Sequence, residues 1–187
     1  AELELLVSPT TEENVDQLLK NYGLDSSNNL IALNTGGSWP TKRWPLNKFA
    51  KLADKIKQAG IAEVIFTGAA QDKERIKDIK QLMTEEAVSL AGETTLQELA
   101  ALAKRIKLMV SGDTGPAHVT AAVGTPTITV FGPSNEEKYR PYGHQHQVIT
   151  SGINCRPCGE HQCPLQHHQC LKKITVTEVF NSIINKL

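Results

Sequence analysis

Short apolar runs alternate along this chain with longer segments in which apolar residues recur at the helical period. Residues 30–34, Leu-Ile-Ala-Leu-Asn, form an apolar run that ends at a Thr-Gly-Gly turn. Residues 45–59 then carry Phe49 and Ile56 on one side, and Gly60 follows them. A short apolar run is typical of a buried strand, a helical period of an amphipathic helix, and a glycine of a helix C-terminus. This stretch therefore predicts a strand, a loop and a helix.

The same unit recurs along the chain. Further strands are predicted at residues 64–66, 88–90, 107–111, 127–131 and 147–149. Further helices are predicted at residues 11–22, 72–82, 96–105, 119–123 and 176–187, with a short one near Glu136. Strands joined by helical crossovers lie parallel, which indicates an α/β fold with a doubly wound, six-stranded parallel sheet of the Rossmann-like kind.

The expected strand order of such a sheet predicts where a ligand binds. The commonest order is 3-2-1-4-5-6, and ligands bind outside the carboxyl ends of the strands where this order reverses. The reversal falls between the first and fourth strands. The loops that leave these two strands, residues 35–44 and 112–116, are therefore predicted to face one crevice.

The first of these loops carries small, polar and charged residues. Its hydroxyl groups can donate hydrogen bonds, its glycines allow a tight turn, and its lysine can meet a phosphate as a point charge. The candidate ligand-binding residues in this loop are Thr35, Gly36, Gly37, Ser38 and Lys42. A solvated side chain is the alternative interpretation of Lys42, because most lysines are exposed. We expect Trp44 to pack inward and Pro45 to begin the next helix.

The second loop, Gly-Asp-Thr-Gly-Pro-Ala-His at residues 112–118, lies between a strand and a helix. We expect Asp113 to cap this helix, and Thr114 and Gly115 to offer backbone N–H groups that lack helical partners. Such a helix N-terminus suits a diphosphate. His118 lies one turn further and reaches the same edge. An ordinary capped turn without a ligand is the alternative.

Two further loops are predicted at the same edge. Gly68 and Asp72 follow the second strand, where a carboxylate can accept hydrogen bonds from ribose hydroxyls, although Asp72 could equally begin a charged helix. Thr94 follows the third strand, where backbone groups of residues 93–95 could meet a base while Thr94 or Thr95 caps the next helix. The chain contains neither the GxGxxG dinucleotide motif nor a phosphate-binding GxxxxGK[ST] loop.

The composition of the chain excludes some classes of protein and of binding partner. The 187 residues include 20 Lys and Arg and 20 Asp and Glu, so no overall charge attracts nucleic acid, and we predict no nucleic-acid partner. The N-terminal residues do not have the pattern of a signal peptide, and no apolar run is long enough to span a bilayer. These features predict a cytosolic, globular protein without a transmembrane segment.

All four cysteines lie within sixteen residues, with the spacing C-x2-C-x4-C-x6-C and three histidines among them. Thiolates and imidazoles are the ligands that zinc prefers, and cytosolic disulfides are rare. The spacing departs from common zinc modules, so disulfides or free thiols remain alternatives to a structural zinc site. The candidate metal ligands are Cys155, Cys158, Cys163 and Cys170.

Four motifs together resemble the C-terminal domain of glycosyltransferase family 9, the lipopolysaccharide heptosyltransferases. They are Lys42-Arg43-Trp44-Pro45, Ala91-Gly92-Glu93-Thr94, Asp113-Thr114-Gly115 with His118, and Gly124-Thr125-Pro126 continuing to Phe131-Gly132-Pro133. The resemblance covers nearly the whole chain. It implies the C-terminal half of a GT-B enzyme, which holds an ADP-sugar donor and transfers heptose or a related sugar to a lipopolysaccharide core acceptor.

The resemblance also assigns roles. It implies that the loop from Thr35 with Lys42, and the turn at Asp113, face the diphosphate and sugar, with His118 near the transferred sugar. Asp72 and Thr94 fall where the family contacts ribose and adenine. It further implies that transfer needs no cofactor, and that the general base and the acceptor site belong to an N-terminal domain. No catalytic base is therefore expected in this chain.

The resemblance implies a division of the chain. Residues 1–28 correspond to the interdomain connection and first helix, 29–150 to the nucleotide-sugar-binding domain, 151–173 to a Cys-rich loop and 174–187 to a terminal helix. The chain is then expected to be half of an enzyme, to bind a donor without efficient transfer, and to associate at most peripherally with the inner membrane. The alternative is a stand-alone nucleotide-binding or regulatory module whose Cys-rich loop binds a metal or docks a partner.

Overall fold

The computed structural model of the protein describes residues 5–25 and 28–187, and its centre is a six-stranded parallel sheet. The strands are β1 Leu30–Asn34, β2 Glu63–Thr67, β3 Val88–Ser89, β4 Leu108–Gly112, β5 Thr127–Val130 and β6 Gln147–Ile149. Their order is β3-β2-β1-β4-β5-β6. The predicted doubly wound sheet is confirmed, and so is its reversal between β1 and β4.

Eight helices connect or flank the strands in the described part of the chain. They are α1 Pro9–Asn21, α2 Leu46–Gln58, α3 Lys73–Gln81, α4 Leu96–Ala103, α5 Gly115–Ala122, α6 Glu136–Tyr139, α7 Gln169–Lys172 and α8 Val176–Ile184. Short 3-10 turns lie at Pro40–Lys42 and Ala70–Asp72. None of these helices combines the length and the apolar character that crossing a membrane requires.

The sheet buries a core on each face, because successive residues of a strand point to opposite sides. On β1, Ile31 and Leu33 belong to one apolar cluster, which includes residues of α2, α3 and α8. Leu30 and Ala32 belong to the other, which includes residues of α1 and α4. Since α1 and α8 complete these two cores, both helices pack as part of the same unit as the sheet. Residues 1–4 and 26–27 of the predicted segment 1–28 lie outside the described residues.

The structure adds a helical turn to the predicted Cys-rich loop 151–173. Helix α7 lies within this segment. Its residues Cys170 and Leu171 are buried, and their burial ties the segment to the core. Trp44, buried as predicted, donates from Nε1 to the carbonyl oxygen of Ile174 at 3.2 Å. These contacts fix the end of the Cys-rich segment beside the loop that follows β1.

Candidate functional site

A network of polar side chains joins the carboxyl ends of three neighbouring strands. Asn34, the last residue of β1, donates from Nδ2 to the carbonyl and hydroxyl oxygens of Thr67 at 3.3 and 3.2 Å. Its Oδ1 accepts from Ser111 at 3.4 Å and Thr114 at 3.5 Å, and the hydroxyls of Ser111 and Thr114 lie 3.0 Å apart. The network therefore holds the loops after β2, β1 and β4 in register where the strand order reverses.

The carboxylate of Asp72 packs against the two glycine-containing loops. A Cβ atom on Gly36 would lie 2.5 Å from Asp72 Oδ2, and one on Gly68 would lie 2.9 Å from Asp72 Cβ. Only glycine permits this close approach. The backbone N–H of Ala69 donates to Oδ2 of Asp72 at 2.9 Å, which fixes the carboxylate at the edge of the crevice.

Two arginines clamp the loop that follows β1 by its carbonyl groups. Arg75 donates from Nε to Thr35 O at 3.0 Å and from Nη2 to Trp44 O at 2.8 Å. Arg43 donates from Nε to Gly37 O at 2.7 Å. Burial, and after it the positive charge of Arg43, lowers the pKa of Arg75 to about 10. Arg75 still carries its charge at neutral pH and holds both ends of the loop.

Lys42 and Asp113 meet across the crevice. Lys42 Nζ lies 2.6 Å from Asp113 Oδ2, with 19% of the lysine side chain and 7% of the aspartate side chain exposed. Nζ also lies 4.4 Å from the centre of the Trp39 ring, within range of a cation–π interaction. The solvated alternative for Lys42 therefore does not hold, because the ammonium is largely covered and paired.

The expectation that Asp113 caps helix α5 is wrong. Thr114 occupies the N-cap position in extended conformation, the helix begins at Gly115, and no side chain caps it. The Asp113 carboxylate points instead to Lys42, because the charge of the lysine is a stronger partner than a backbone N–H group. The hydroxyl of Thr114 is likewise taken by the Asn34 network. The first turn of α5 thus keeps backbone N–H groups that no side chain satisfies.

These groups surround one open pocket of about 400 Å³. Its lining residues are Asn34, Gly36, Gly37, Ser38, Lys42, Gly68, Ala69, Gln71, Asp72, Asp113, Thr114, Gly115, Pro116 and His118. Ten of the twelve residues predicted from the sequence are in this lining. The two that are not are Thr35, which is buried beneath the loop, and Thr94.

Thr94 lies on a separate loop beyond β3. The neighbouring Thr95 caps helix α4 by accepting from the N–H of Glu98 at 3.2 Å, so the capping role belongs to Thr95. Glu93 accepts a hydrogen bond from the hydroxyl of Tyr22 at 2.6 Å, which ties this loop to α1. The sequence interpretation missed four pocket residues, which are Asn34, Ala69, Gln71 and Pro116. The position of Asn34 as the last residue of the first strand at the reversal was the signal that could have identified it.

The comparison with family models decides the class of protein. Residues 4–169 match the model of glycosyltransferase family 9, the heptosyltransferases. The chain belongs to this family.

The relative and the structural neighbours reported next are about twice the length of this chain. The chain is 28% identical over 166 residues to lipooligosaccharide heptosyltransferase 2 of Campylobacter jejuni, covering 86% of this chain and 52% of the relative. A family 9 glycosyltransferase structure from Veillonella parvula matches with a TM-score of 0.88 and 25% identity, covering 98% of this chain and 53% of that one. The structure of Escherichia coli ADP-heptose heptosyltransferase II matches with a TM-score of 0.81 and 28% identity over the same shares. The resemblance to family 9 and the Rossmann-like fold are thereby confirmed, and the chain spans about half the length of these relatives.

In this family 9 chain the Cys-rich segment packs directly on the loop that carries Lys42. The hydroxyl of Thr41 donates to the carbonyl oxygens of Glu160 at 2.9 Å and His161 at 3.3 Å. The Nε2 atom of His168 lies 2.7 Å from the carbonyl oxygen of Thr41. The rings of Trp39 and His161 stack with their centres 3.5 Å apart. The segment therefore packs against the loop that carries Lys42 rather than forming a separate appendage.

All four cysteines of this segment are free thiols: Cys155 and Cys158 are exposed, Cys163 is half-buried and Cys170 is buried. The backbone N–H of His168 is the largest cause that lowers the pKa of the Cys163 thiol, and it donates to Sγ at 3.4 Å. Burial raises the pKa of Cys170, and the other three cysteines raise it further. Within residues 5–25 and 28–187, no three Cys, His, Asp or Glu side chains already stand as a metal-binding group.

Proposed function

We propose that this chain is the donor-binding half of a glycosyltransferase that takes heptose, or a related sugar, from an ADP-sugar. The observation that carries the proposal is the Lys42–Asp113 pair beside the uncapped N-terminus of α5, in a pocket at the strand-order reversal of a family 9 chain. A lysine ammonium and free helical N–H groups are the donors that a diphosphate requires.

The nucleotide is proposed to lie across the carboxyl edge of the sheet. The diphosphate would lie between Lys42 and Gly115, because a Cβ atom on Gly115 would have no neighbour within 4 Å and the backbone there is open to a ligand. The ribose would lie at Asp72, whose Oδ2 is held by Ala69. The adenine would extend toward the loop at Thr94, and His118 would face the sugar from the opposite side of the diphosphate.

The proposed transfer breaks the bond between the anomeric carbon and the diphosphate oxygen and forms a bond from that carbon to an acceptor hydroxyl oxygen. The leaving ADP gains negative charge, which Lys42 and the N–H groups of α5 stabilise electrostatically. The hydroxyl proton passes to a general base that we place on an N-terminal domain together with the acceptor. No cofactor takes part in this step.

The setting of the reaction is part of the proposal. Two of the proteins named above are a lipooligosaccharide heptosyltransferase and an ADP-heptose heptosyltransferase. We place the reaction in the cytoplasm, because four free thiols fit a reducing compartment. The acceptor would be a lipopolysaccharide core, which brings the enzyme to the surface of the inner membrane. Residues 1–28 would then comprise the connection between the two halves and the first helix of this one.

Titration calorimetry with ADP, ADP-heptose and UDP tests the proposal. We expect saturable binding of ADP and ADP-heptose, much weaker binding of UDP, and no measurable sugar transfer by this chain alone, since the acceptor and base are placed elsewhere. Tighter binding of UDP than of ADP would mean that the donor belongs to another class of nucleotide sugar. Absence of binding by all three ligands to folded protein would contradict the donor site.

A further inference from the structure

Four cysteines that are up to fifteen positions apart in the sequence line a single small cavity. Its walls are Thr41, Pro133, Cys155, Arg156, Cys158, Cys163, Pro164, Leu165, His167, His168 and Cys170. The cavity has a volume of about 30 Å³, which is enough for a water-sized particle such as a single ion.

The turn around Cys163 is held in a conformation that its residues do not prefer. Gln166 and His168 both have left-handed backbone angles, with φ of 55° and 52°, although neither is glycine. Each such residue costs about 1 to 2 kcal/mol. This conformation directs the N–H of His168 at the sulfur of Cys163. Donation to sulfur stabilises a thiolate, the form in which cysteine binds a metal.

One ring nitrogen of each nearby imidazole is already engaged, whereas the sulfurs of Cys155 and Cys158 are exposed. Since a carbonyl oxygen only accepts hydrogen bonds, the Nε2 of His168 must carry its proton and donate to Thr41. The Nδ1 of His167 accepts from the backbone N–H of Gln169 at 3.0 Å. Arg156 also lines the cavity, but its charge is neutralised by Glu136, with guanidinium-to-carboxylate distances of 2.8 and 3.0 Å.

We propose that Cys155, Cys158, Cys163 and Cys170 bind one thiophilic divalent cation of the zinc class, and that this ion fixes the turn that carries Lys42. The four sulfurs line the cavity without yet forming a closed ligand set. Binding draws them together by rotation of the side chains, and Cys155 and Cys158 are exposed and free to rotate. Four thiolates around one ion form a structural zinc site.

The coupling to Lys42 follows from the shared wall of the cavity. Thr41 lines the cavity and directly precedes Lys42 in the sequence. It forms hydrogen bonds with Glu160 and His168, which lie on either side of Cys163 in the sequence. An ion that rigidifies the segment therefore rigidifies the position of the lysine ammonium. This second part of the proposal rests on the proposed function, whereas the metal site itself does not.

Metal binding is tested on the reduced, metal-free chain without any nucleotide. Titration with Zn²⁺ against a chromophoric chelator should show one equivalent bound, and Co²⁺ should give the intense visible bands of tetrahedral thiolate coordination. The double variant Cys155→Ser/Cys158→Ser should lose this binding, whereas His144→Ala, an exposed histidine outside the cluster, should keep it. Binding that is absent from folded wild-type protein, or that survives the double variant, overturns the metal site.

The coupling is tested by measuring ADP affinity in the zinc-loaded and metal-free protein. We expect removal of zinc to weaken ADP binding several-fold. Thr41→Ser, which keeps the hydroxyl, should preserve this dependence, and Thr41→Val should abolish it by weakening ADP binding even in the loaded protein. Equal ADP affinity in both metal states overturns the coupling. A chain that binds zinc but no ADP at all refutes the proposed function and with it the coupling, while the metal site stands.

Discussion

Lys42 Nζ lies 2.6 Å from Oδ2 of Asp113, and this pair joins the loop after β1 to the loop after β4 across the strand-order reversal. Both side chains are mostly covered, so the carboxylate would be a costly unpaired charge without the lysine. The ring of Trp39 covers the ammonium from another side. The pair thus presents a positive group at a fixed place in the pocket.

We expect Lys42→Ala to weaken ADP binding about 10- to 100-fold, since a hydrogen bond to a charged group contributes about 1.5 to 3 kcal/mol. Titration calorimetry measures the change. Lys51→Ala removes an exposed lysine from α2 and serves as the matched control, with unchanged affinity. An affinity in Lys42→Ala equal to that of the control would show that this lysine does not meet the nucleotide.

Asp113→Asn should also weaken ADP binding, because the lysine ammonium loses the partner that positions it. We expect the double variant Lys42→Ala/Asp113→Asn to bind ADP no more weakly than Lys42→Ala alone, since two groups that act as a unit have non-additive effects. A double-mutant cycle by calorimetry gives the coupling. Strictly additive losses would mean that Asp113 contacts the ligand independently.

Replacing Gly115 or Gly36 with alanine should have different effects on the melting temperature. A Cβ on Gly115 meets open space, so Gly115→Ala should keep or slightly raise the melting temperature while weakening ADP binding in the pocket. Gly36→Ala brings a Cβ to 2.5 Å from the Asp72 carboxylate and should lower the melting temperature. Thermal unfolding and calorimetry on both variants separate the two effects. Undiminished ADP affinity in Gly115→Ala would place the diphosphate elsewhere.

Arg75→Lys should reduce both stability and ADP affinity, although the charge is kept. A lysine cannot reproduce the two directed bonds to the carbonyl groups of Thr35 and Trp44. We expect a loss of about 1 to 3 kcal/mol in the free energy of unfolding, measured by urea denaturation. Arg140→Lys, at an exposed arginine outside the pocket lining, is the comparison variant. Equal stability of Arg75→Lys and wild type would show that the loop is held without this clamp.

Because His146 is buried, we expect the protein to lose stability in acid. Burial lowers its pKa to about 4, and Lys186 and Arg140 contribute to the shift, while Nδ1 lies 3.2 Å from the hydroxyl of Thr127. The unfolded chain therefore binds a proton at higher pH than the folded one. Stability is full above about pH 6.5 and falls as the pH drops toward 4, by up to about 3 kcal/mol. Urea denaturation at pH 7.5, 6 and 5 should show this decline in wild type and a smaller one in His146→Gln. Identical declines would assign the acid sensitivity to other groups.

The alternation of apolar runs and amphipathic segments was enough to predict the sheet. Residues 30–34 and 147–149 were placed as strands with the bounds that the structure has. The turn at α7 was missed, because a four-residue helix has too little periodicity to stand out and forms here through burial of Cys170 and Leu171.

The location of the candidate site could be predicted from the sequence, but the contacts between its side chains could not. Parallel topology brings the loops after β1, β2 and β4 to one edge, so ten of the twelve candidate residues line the pocket. Which atoms pair there was not predictable. Local chemistry favoured Asp113 as a cap, but the lysine 71 positions earlier in the chain attracts its carboxylate. The hydrogen bonds of Arg75 to Thr35 and Trp44 could not be predicted from a local pattern either, because they join residues that are far apart in the sequence.

The sequence by itself determined the class of fold, the edge of the sheet that carries the candidate site and the family, because hydrophobic period and turn motifs are local properties of the chain. The tertiary structure alone decided the pairing of Lys42 with Asp113, the packing of the Cys-rich segment on Thr41 and the grouping of four thiols around one cavity. Those relationships join residues far apart in sequence, and they exist only once the sheet and its loops have brought them within contact distance.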